Sequence, residues 1–381
     1  MNFETYKKWQ TENQFWSSTN TRFTPFSEFK KKVESYTDIA EVSSLGKSEK
    51  GKNIYQLTLG EGPKRVIIWS QMHGNETTGT LAIFDVLDYL KSNKNSQTEI
   101  FENFTIAIVC MVNPDGAEIF ERRNSLGIDL NRDAVAQQAV ETKLLMKAIN
   151  NFKPDIAFNL HDQRTLFSVG KDINPATISF LIPSFNQEKT INETRRAGMS
   201  LVASVWRSFP NEYQQNTGRY TDDFYPTAFG DNIQKKGINC VLIEAGAAFQ
   251  DPKRNEARLL VGFSLLNFFR FLKEEVHHDY VEYFQIPQNE QKLRDIIVKG
   301  IKLKNKRKPV LVDVAFKLEE TTEKGKFKRT LLVEDIGDLS QFRAYQEVNG
   351  NGLEFSSNDI FIGKKLTFHE FQHIFWEGVI I

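Results

Sequence analysis

The sequence predicts an α/β fold with a largely parallel sheet covered by helices on both faces, followed by a smaller C-terminal β-rich domain. From residue 53 to about residue 275, short apolar and β-branched segments alternate with longer segments of helical spacing. Several of the short segments are apolar at successive positions, which is typical of strands buried on both faces. After about residue 276 the helical spacing gives way to strand-like alternation. We therefore expect residues 1–278 to form one domain and residues 279–381 to form the β-rich domain.

Each element of the first domain follows from its own pattern. Apolar segments of strand length predict strands at 53–59, 65–71, 104–112, 155–161, 177–183 and 240–246. Apolar residues three and four positions apart predict helices at 77–92, 134–151, 187–208 and 254–275. Because strands that alternate with helices usually pair in parallel, these elements favour a covered parallel sheet. In the second domain, alternating segments at 308–320, 326–335, 342–348 and 358–368 predict a half-exposed antiparallel sheet.

Charge and hydropathy argue against two classes of partner. The 49 basic and 49 acidic residues balance, and no long block of one sign is present, so we expect no nucleic-acid partner. No segment approaches the roughly 18 apolar residues of a membrane span, so we expect no membrane partner. The first residues lack the apolar region of a signal peptide, which favours a cytoplasmic protein. Export with a signal that has been removed remains an alternative.

Polar side chains follow three of the predicted strands. His73 and Glu76 follow the strand at 65–71, while His161 and Glu244 lie at the ends of two others. Ligands of open α/β sheets bind at the carboxyl ends of the strands, so these four residues are expected to meet at one edge. Two histidines and one carboxylate leave a fourth tetrahedral position open, as in catalytic zinc sites. Glu244 could then act as the base. Alone, His161 would more often be a core histidine and Glu244 a structural acid.

Arginine and asparagine residues are concentrated in the segment at 121–134. It contains Arg122, Arg123 and Arg132 together with Asn124 and Asn131. An arginine offers a fork of donors that matches a carboxylate and keeps its charge. Near a metal, such residues could hold a substrate carboxylate and stabilise an oxyanion. A cluster of surface salt bridges is the alternative.

Taken in order, these motifs resemble the zinc carboxypeptidase family, M14. The matching stretches span about residues 45 to 246 and are SLGKSEKGKNIYQLTLG, HGNE, NPDG, RRNSLGIDLNRD, LHD and IEAG. The resemblance implies a three-layer α/β/α fold with a mixed, mostly parallel eight-stranded sheet. It also implies one Zn²⁺ per chain, held by His73, Glu76 and His161, with Glu244 as general base and acid.

The resemblance also assigns roles in substrate binding. Arg122 is the better match to the arginine that stabilises the oxyanion, and Arg123 is the less favoured match. Asn131 and Arg132 match the pair that holds the terminal carboxylate of the substrate. The sequence departs from the commoner NRN at Asp133, which is expected to add a negative charge beside that pair.

The substrate-capping tyrosine and the side-chain pocket of the family are harder to locate. Tyr225 and Tyr220 are both candidates for the tyrosine, and Tyr225 is preferred. The segment at 214–240 is expected to supply the pocket, and it contains three acidic residues, Asp222, Asp223 and Asp231.

The resemblance implies a metallocarboxypeptidase acting on a peptide with a free carboxylate. The HGNE stretch, a short interval between Glu76 and His161, and the β-rich C-terminal domain also resemble the aspartoacylase and succinylglutamate desuccinylase branch. That branch hydrolyses N-acyl amino acids, and it remains the alternative. A homologue that has lost its activity is a third alternative, although the complete ligand set and Glu244 argue against it.

Two further motifs are expected to carry no chemistry. The segment at 369–373 reads HEFQH, in which His369 and His373 could bind metal with Glu370 as base. It lies near the C-terminus of a β-rich region, so an amphipathic helix or a surface segment is favoured. The glycine- and lysine-rich segment at 46–53 lacks the final Ser or Thr of a phosphate-binding loop and precedes a strand, so a charged turn is expected.

Overall fold

A computed structural model describes residues 2–13, 22–275, 278–304 and 308–375. The first part of the chain forms a mixed eight-stranded sheet with the order β1-β2-β4-β3-β5-β10-β8-β9. A separate pair, β6 and β7, lies beside it. The strands are β1 Glu41–Lys47, β2 Asn53–Leu59, β3 Lys64–Ser70, β4 Phe104–Val109, β5 Ile156–Asp162, β6 Ser168–Val169, β7 Asn174–Pro175, β8 Ile178–Leu181, β9 Thr217–Arg219 and β10 Asn239–Ala245.

Helices cover both faces of this sheet, which confirms the predicted three-layer α/β/α fold. The helices of this part of the chain are α1 Phe3–Asn13, α2 Phe26–Glu34, α3 Thr78–Ser92, α4 Lys94–Asn103, α5 Pro114–Glu118, α6 Val140–Phe152, α7 Glu193–Arg207, α8 Asn211–Gln214, α9 Phe229–Lys235 and α10 Asn255–Glu274. A further helix, α11 Phe368–Phe375, packs on the C-terminal sheet. None of the described helices combines the length and apolarity needed to cross a membrane.

Strand β3 shows why several strands are apolar at every position. Val66 and Ile68 point into the core formed with α3, α7 and α10. Ile67 and Trp69 point into the core on the opposite face, which α6 and α9 complete. Successive side chains of a strand alternate between the two faces, so a sheet with two covered faces needs apolar residues at both sets of positions.

The four central strands place the polar residues of the first domain at one edge. Strands β4, β3, β5 and β10 are parallel, so their carboxyl ends point in the same direction. In this register Glu244 of β10 lies opposite His161 of β5. The sheet therefore aligns the acid with one of the two histidines.

Two helices begin later than the sequence predicts, because polar side chains bind backbone amides just before the helix or in its first turn. Helix α6 begins at residue 140 rather than 134, since Asp133 accepts hydrogen bonds from the amides of Gln138 at 3.0 Å and Ala139 at 2.9 Å. Helix α7 begins at residue 193 rather than 187, because Asn192 caps it by accepting from the amide of Arg195 at 3.0 Å.

The C-terminal region forms a six-stranded sheet with the order β14-β11-β12-β13-β16, in which β15 also pairs with β11. Its strands are β11 Leu293–Lys304, β12 Val310–Glu323, β13 Lys326–Gly337, β14 Arg343–Asn349, β15 Glu354–Ser356 and β16 Lys365–Thr367. The sheet that was predicted as antiparallel is mixed. Strands β11, β12, β13 and β16 pair in antiparallel, whereas β14 and β15 are parallel to β11. Strand β11 was not predicted. The domain boundary at 278/279 stays a prediction.

Candidate active site

Three of the predicted metal ligands meet at the carboxyl edge of the central strands. His73 and Glu76 lie in the turn between β3 and α3, and His161 lies on β5. All three are buried, and their ligand atoms lie within 4.8 Å of one another. Among the residues that the structure describes, this is the only group of three or more His, Cys, Asp or Glu side chains with such an arrangement.

The hydrogen bonds around this cluster fit a bound cation. Asp129 accepts from Nε2 of His73 at 3.1 Å, which directs Nδ1 of the same ring toward Glu76 at 2.8 Å. Nδ1 of His161 lies 2.8 Å from the other oxygen of Glu76. A ring nitrogen that carries a lone pair cannot bond to a carboxylate oxygen, so a proton or a metal ion is needed between them. Two imidazoles and one carboxylate are a donor set that suits zinc and leaves a coordination position open.

The charges of the cluster support the same conclusion. Burial opposes the charged form of Glu76, but His73 and His161 outweigh it and hold the pKa of this carboxyl well below its usual range. Burial also opposes the charged form of His73, yet Glu76 and Asp129 raise its pKa. His161 shows the opposite balance, since burial prevails and lowers its pKa. The carboxylate is therefore ionised and available as a ligand.

Asp129 is the functional residue that the sequence analysis missed. Besides holding His73, it accepts a hydrogen bond from Nε of Arg122 at 3.0 Å. These partners lower its pKa although burial opposes the charged form. A carboxylate behind a metal-binding histidine fixes the orientation of the ring and raises the basicity of its free nitrogen. The sequence signal that could have indicated Asp129 is its place in the segment at 121–134, two residues before Asn131.

Arg122 and Arg123 point to different places. Nη1 of Arg122 lies 3.1 Å from Nδ1 of His73 and 3.2 Å from Oε1 of Glu76, so this guanidinium lies against the metal cluster. Arg123 is exposed and donates to the carbonyl of Gly127 at 2.9 Å. Arg122 lines the cleft above the cluster and Arg123 does not. The structure brings only the first of these two candidates to the site.

Glu244 faces the same cleft from β10. Burial raises the pKa of this carboxyl well above its usual range, and the negative charges of Glu76 and Asp162 add to the shift. Tyr220 also lines the cleft, and burial together with Glu244 raises its pKa to about 12. Its ring packs against Phe167 with the centroids 5.2 Å apart.

The predicted carboxylate-binding residues line the cleft farther along. Oδ1 of Asn131 accepts from the amide of Phe229 at 2.9 Å, which orients this side chain. The guanidinium of Arg132 lies 4.6 Å from the ring centre of Tyr225, which is half exposed. Asp231 also lines the cleft, accepts from the amide of Tyr225 at 2.9 Å, and has a pKa raised by burial to about 6.

The other acids of this region have structural partners. Asp222 binds the buried Arg195 at 2.7 Å, and Asp223 binds Lys189 at 2.5 Å. Asp133 is buried and satisfied by backbone amides, as described for α6, and is not among the residues that line the cleft. The expectation that Asp133 adds its charge to the substrate site is therefore not supported.

The cleft has a volume of about 1540 Å³ and lies between the two sheets. One wall carries the three candidate metal ligands, His73, Glu76 and His161, together with Glu244 and Tyr220. The opposite wall comes from the C-terminal sheet, and its residues include Lys317, Glu319, Glu334, Tyr345 and Gln346. The second sheet thus takes part in forming the cleft.

Comparison with known proteins finds similarity to zinc carboxypeptidases over part of the chain. The zinc carboxypeptidase family, Peptidase_M14, matches residues 27–138, which include His73 and Glu76. Mouse carboxypeptidase M is 30% identical over 155 residues, which cover 34% of this chain and 35% of that protein. Human carboxypeptidase D is 24% identical over 216 residues, covering 47% of this chain and 15% of that protein. This segment of the chain is similar to the M14 zinc carboxypeptidase family.

Two solved structures share the fold of this chain. A metallo-carboxypeptidase from Burkholderia cenocepacia has a TM-score of 0.53 and 16% identity, over 67% of this chain and 71% of that chain. Bovine thrombin-activatable fibrinolysis inhibitor, solved in complex with tick carboxypeptidase inhibitor, has a TM-score of 0.52 and 15% identity, over 68% of this chain and 99% of that chain. The chain spans about a third of carboxypeptidase M and a smaller share of carboxypeptidase D.

The second histidine motif lies at a helix start, where one of its residues serves as a cap. His369, Glu370 and His373 are exposed on the short helix α11. The carboxylate of Glu370 accepts from the amide of Thr367 at 2.7 Å, and the hydroxyl of Thr367 accepts from the amide of Glu370 at 3.2 Å. These reciprocal bonds form a capping box at the start of the helix.

Proposed function

We propose that this chain is a zinc-dependent metallocarboxypeptidase that binds one Zn²⁺ through His73, Glu76 and His161. One observation carries the proposal: the three ligands converge at the edge of the sheet where Glu244 faces the same cleft. The similarity of part of the chain to zinc carboxypeptidases supports the same reaction class. A zinc ion, when bound, supplies a Lewis acid and lowers the pKa of water.

In this proposal Glu244 is the general base. It accepts the proton of the attacking water and then passes it to the nitrogen of the leaving amine. Burial raises the pKa of Glu244. A carboxylate with a raised pKa accepts a proton from water more readily, which suits a general base. Arg122 donates to the oxygen of the scissile carbonyl as negative charge develops there. Its position beside the metal ligands supports this role.

Asn131 and Arg132 are proposed to hold the terminal carboxylate of the substrate. Both line the cleft, and the amide nitrogen of Asn131 has no hydrogen-bond partner among the described residues. Arg132 can meet a carboxylate with two parallel hydrogen bonds. Tyr225 contacts Arg132 and is the preferred capping residue. Tyr220 instead feels the charge of Glu244, which contributes to its raised pKa. A bound carboxylate would restrict cleavage to the last residue of a peptide.

The size of the cleft favours a peptide over an N-acyl amino acid. Its volume of about 1540 Å³ exceeds the roughly 300–1,000 Å³ of common small-molecule sites. A chain of several residues would fill this space better than a small acylated amino acid.

The test is a comparison of two hydrolytic activities on the zinc-loaded protein. We expect release of C-terminal residues from a peptide library and no hydrolysis of N-acetylaspartate or N-succinylglutamate. Glu244→Gln should abolish this release while keeping zinc, and Glu61→Gln, which changes an exposed acid, should retain it. Hydrolysis of the N-acyl compounds alone would replace the proposal with the deacylase. A fully active Glu244→Gln variant would remove Glu244 from the mechanism.

A further inference from the structure

Two consecutive residues, Arg22 and Phe23, lie between the catalytic sheet and the C-terminal sheet. The guanidinium of Arg22 is buried and binds Asp162 at 3.0 Å on one side and Glu320 of β12 at 3.0 Å on the other. Asp162 follows the proposed ligand His161, and its backbone amide donates to Glu76 at 3.1 Å. The C-terminal sheet is therefore connected to the metal cluster through a short chain of buried polar contacts.

A second set of contacts joins the same sheet to the segment that precedes Arg122. Phe327 of β13 packs edge-on against Phe120, with the ring centres 5.1 Å apart. Phe23 completes the cluster, at 6.4 Å from Phe327 and 6.3 Å from Phe120. The hydroxyl of Thr322 on β12 donates to the carbonyl of Ile119 at 2.8 Å. The hairpin β12–β13 thus contacts residues 119 and 120 through both of its strands.

The conformation of Phe120 shows why these contacts matter. Its φ angle of 54° lies in the left-handed region, which a bulky residue rarely adopts, and the side chain is buried. Such a conformation persists only when the surrounding structure holds it. Arg122 follows two residues later, and from this backbone its guanidinium reaches Asp129 and Glu76. A shift at Phe120 would move the guanidinium relative to Glu76.

We propose that the β12–β13 hairpin is a positioning element of the active site. Phe327 and Thr322 hold the segment at 119–122 so that Arg122 faces the developing oxyanion. Glu320, through Arg22, supports Asp162 beside the metal ligands. The role of Arg122 in this inference rests on the proposed carboxypeptidase function, whereas the mechanical link between Phe327 and residues 119–122 does not.

The main experiment compares Phe327→Ala with Phe361→Ala, which removes an exposed phenylalanine of the same domain. In Phe327→Ala we expect kcat to fall on the order of tenfold or more with little change in KM, because small displacements of a catalytic group are costly. Phe361→Ala should keep the wild-type values. In the Arg122→Ala background the Phe327→Ala change should cause no further loss, since both act through one group.

Hydrogen exchange on the metal-free protein tests the positioning role without any measurement of activity. Hydrogen exchange of the amides at 119–124 should be faster in Phe327→Ala than in the wild type and unchanged in Phe361→Ala. Thr322→Val, which removes only the hydrogen bond to Ile119, should accelerate the same amides and covers the case in which Phe327→Ala fails to fold. If the wild type releases no C-terminal residue, the proposed function fails and exchange alone decides the inference. Unchanged exchange, or an equal loss of kcat with and without Arg122, would overturn it.

Discussion

Asp129 lies behind His73 and accepts the Nε2 hydrogen of its ring at 3.1 Å. The same carboxylate binds Nε of Arg122 through its other oxygen. A single acid therefore orients one proposed metal ligand and the arginine proposed to stabilise the oxyanion. This arrangement links metal binding to catalysis through one residue outside the ligand set.

Replacing Asp129 by asparagine should weaken zinc binding without removing a ligand. We expect a loss of about tenfold to a hundredfold in affinity, because the histidine loses a charged partner that fixes its orientation and basicity. Competition with a chelator of known affinity measures the change. Asp172→Asn, which alters an exposed acid, is the control. An unaltered zinc affinity in Asp129→Asn would show that the contact is not needed to hold the ligand.

The adjacent arginines offer a matched pair of variants. Arg122→Ala should lower kcat on the order of a hundredfold to a thousandfold, the usual effect of losing one oxyanion donor. It should keep its zinc, because Arg122 is not a ligand. Arg123→Ala should behave as the wild type, since Arg123 binds the carbonyl of Gly127 away from the cleft. Steady-state kinetics on one peptide compare the two variants. A larger loss of kcat in Arg123→Ala than in Arg122→Ala would contradict the role proposed for Arg122.

Asp231 predicts a pH dependence of stability. Burial raises its pKa from 3.8 to about 6, so the folded state binds the proton more tightly than the unfolded state. This acid therefore favours folding at low pH, and the benefit is lost as pH rises through these two values. From pH 4 to pH 7, Asp231→Asn should gain about 2–3 kcal/mol in unfolding free energy relative to the wild type.

Urea unfolding at both pH values measures the effect of Asp231→Asn. The control is Asp223→Asn, whose acid lies in the same segment but is exposed and has a pKa lowered by Lys189. Asparagine keeps an acceptor for the amide of Tyr225, so the comparison isolates the charge. If the difference in unfolding free energy between Asp231→Asn and the wild type is the same at both pH values, the ionised carboxylate does not destabilise the fold.

The two histidine motifs predict different metal contents. His73→Ala should lose stoichiometric zinc, because it removes one of three convergent ligands. His369→Ala should keep it, since His369 is exposed on a helix whose Glu370 serves as a cap. Elemental analysis after gel filtration provides the measurement. Loss of zinc from His369→Ala alone would move the metal site to the C-terminal helix.

The α/β/α fold and the region of the site could be predicted from the sequence because their signals are local. Apolar segments such as those around Ile67 and Phe158 are buried on two faces, and this requirement is visible in the order of residues. The positions of His73, Glu76 and His161 after or at the end of such segments predicted their meeting, because parallel strands bring their carboxyl ends to one edge. Neither inference needed contacts between distant side chains.

Other features depended on tertiary packing. The parallel pairing of strand β11 with β14 joins residues far apart in the chain. Asp129 and Arg123 are both charged residues in one loop, and only the folded backbone directs the first toward His73 and the second away. The contact of Phe327 with Phe120 joins the two sheets. The sequence by itself therefore determined the layers and the ligand types, because periodicity and strand ends are local. The tertiary structure decided which charged side chains face the cleft, because that depends on loop geometry and on packing between sheets.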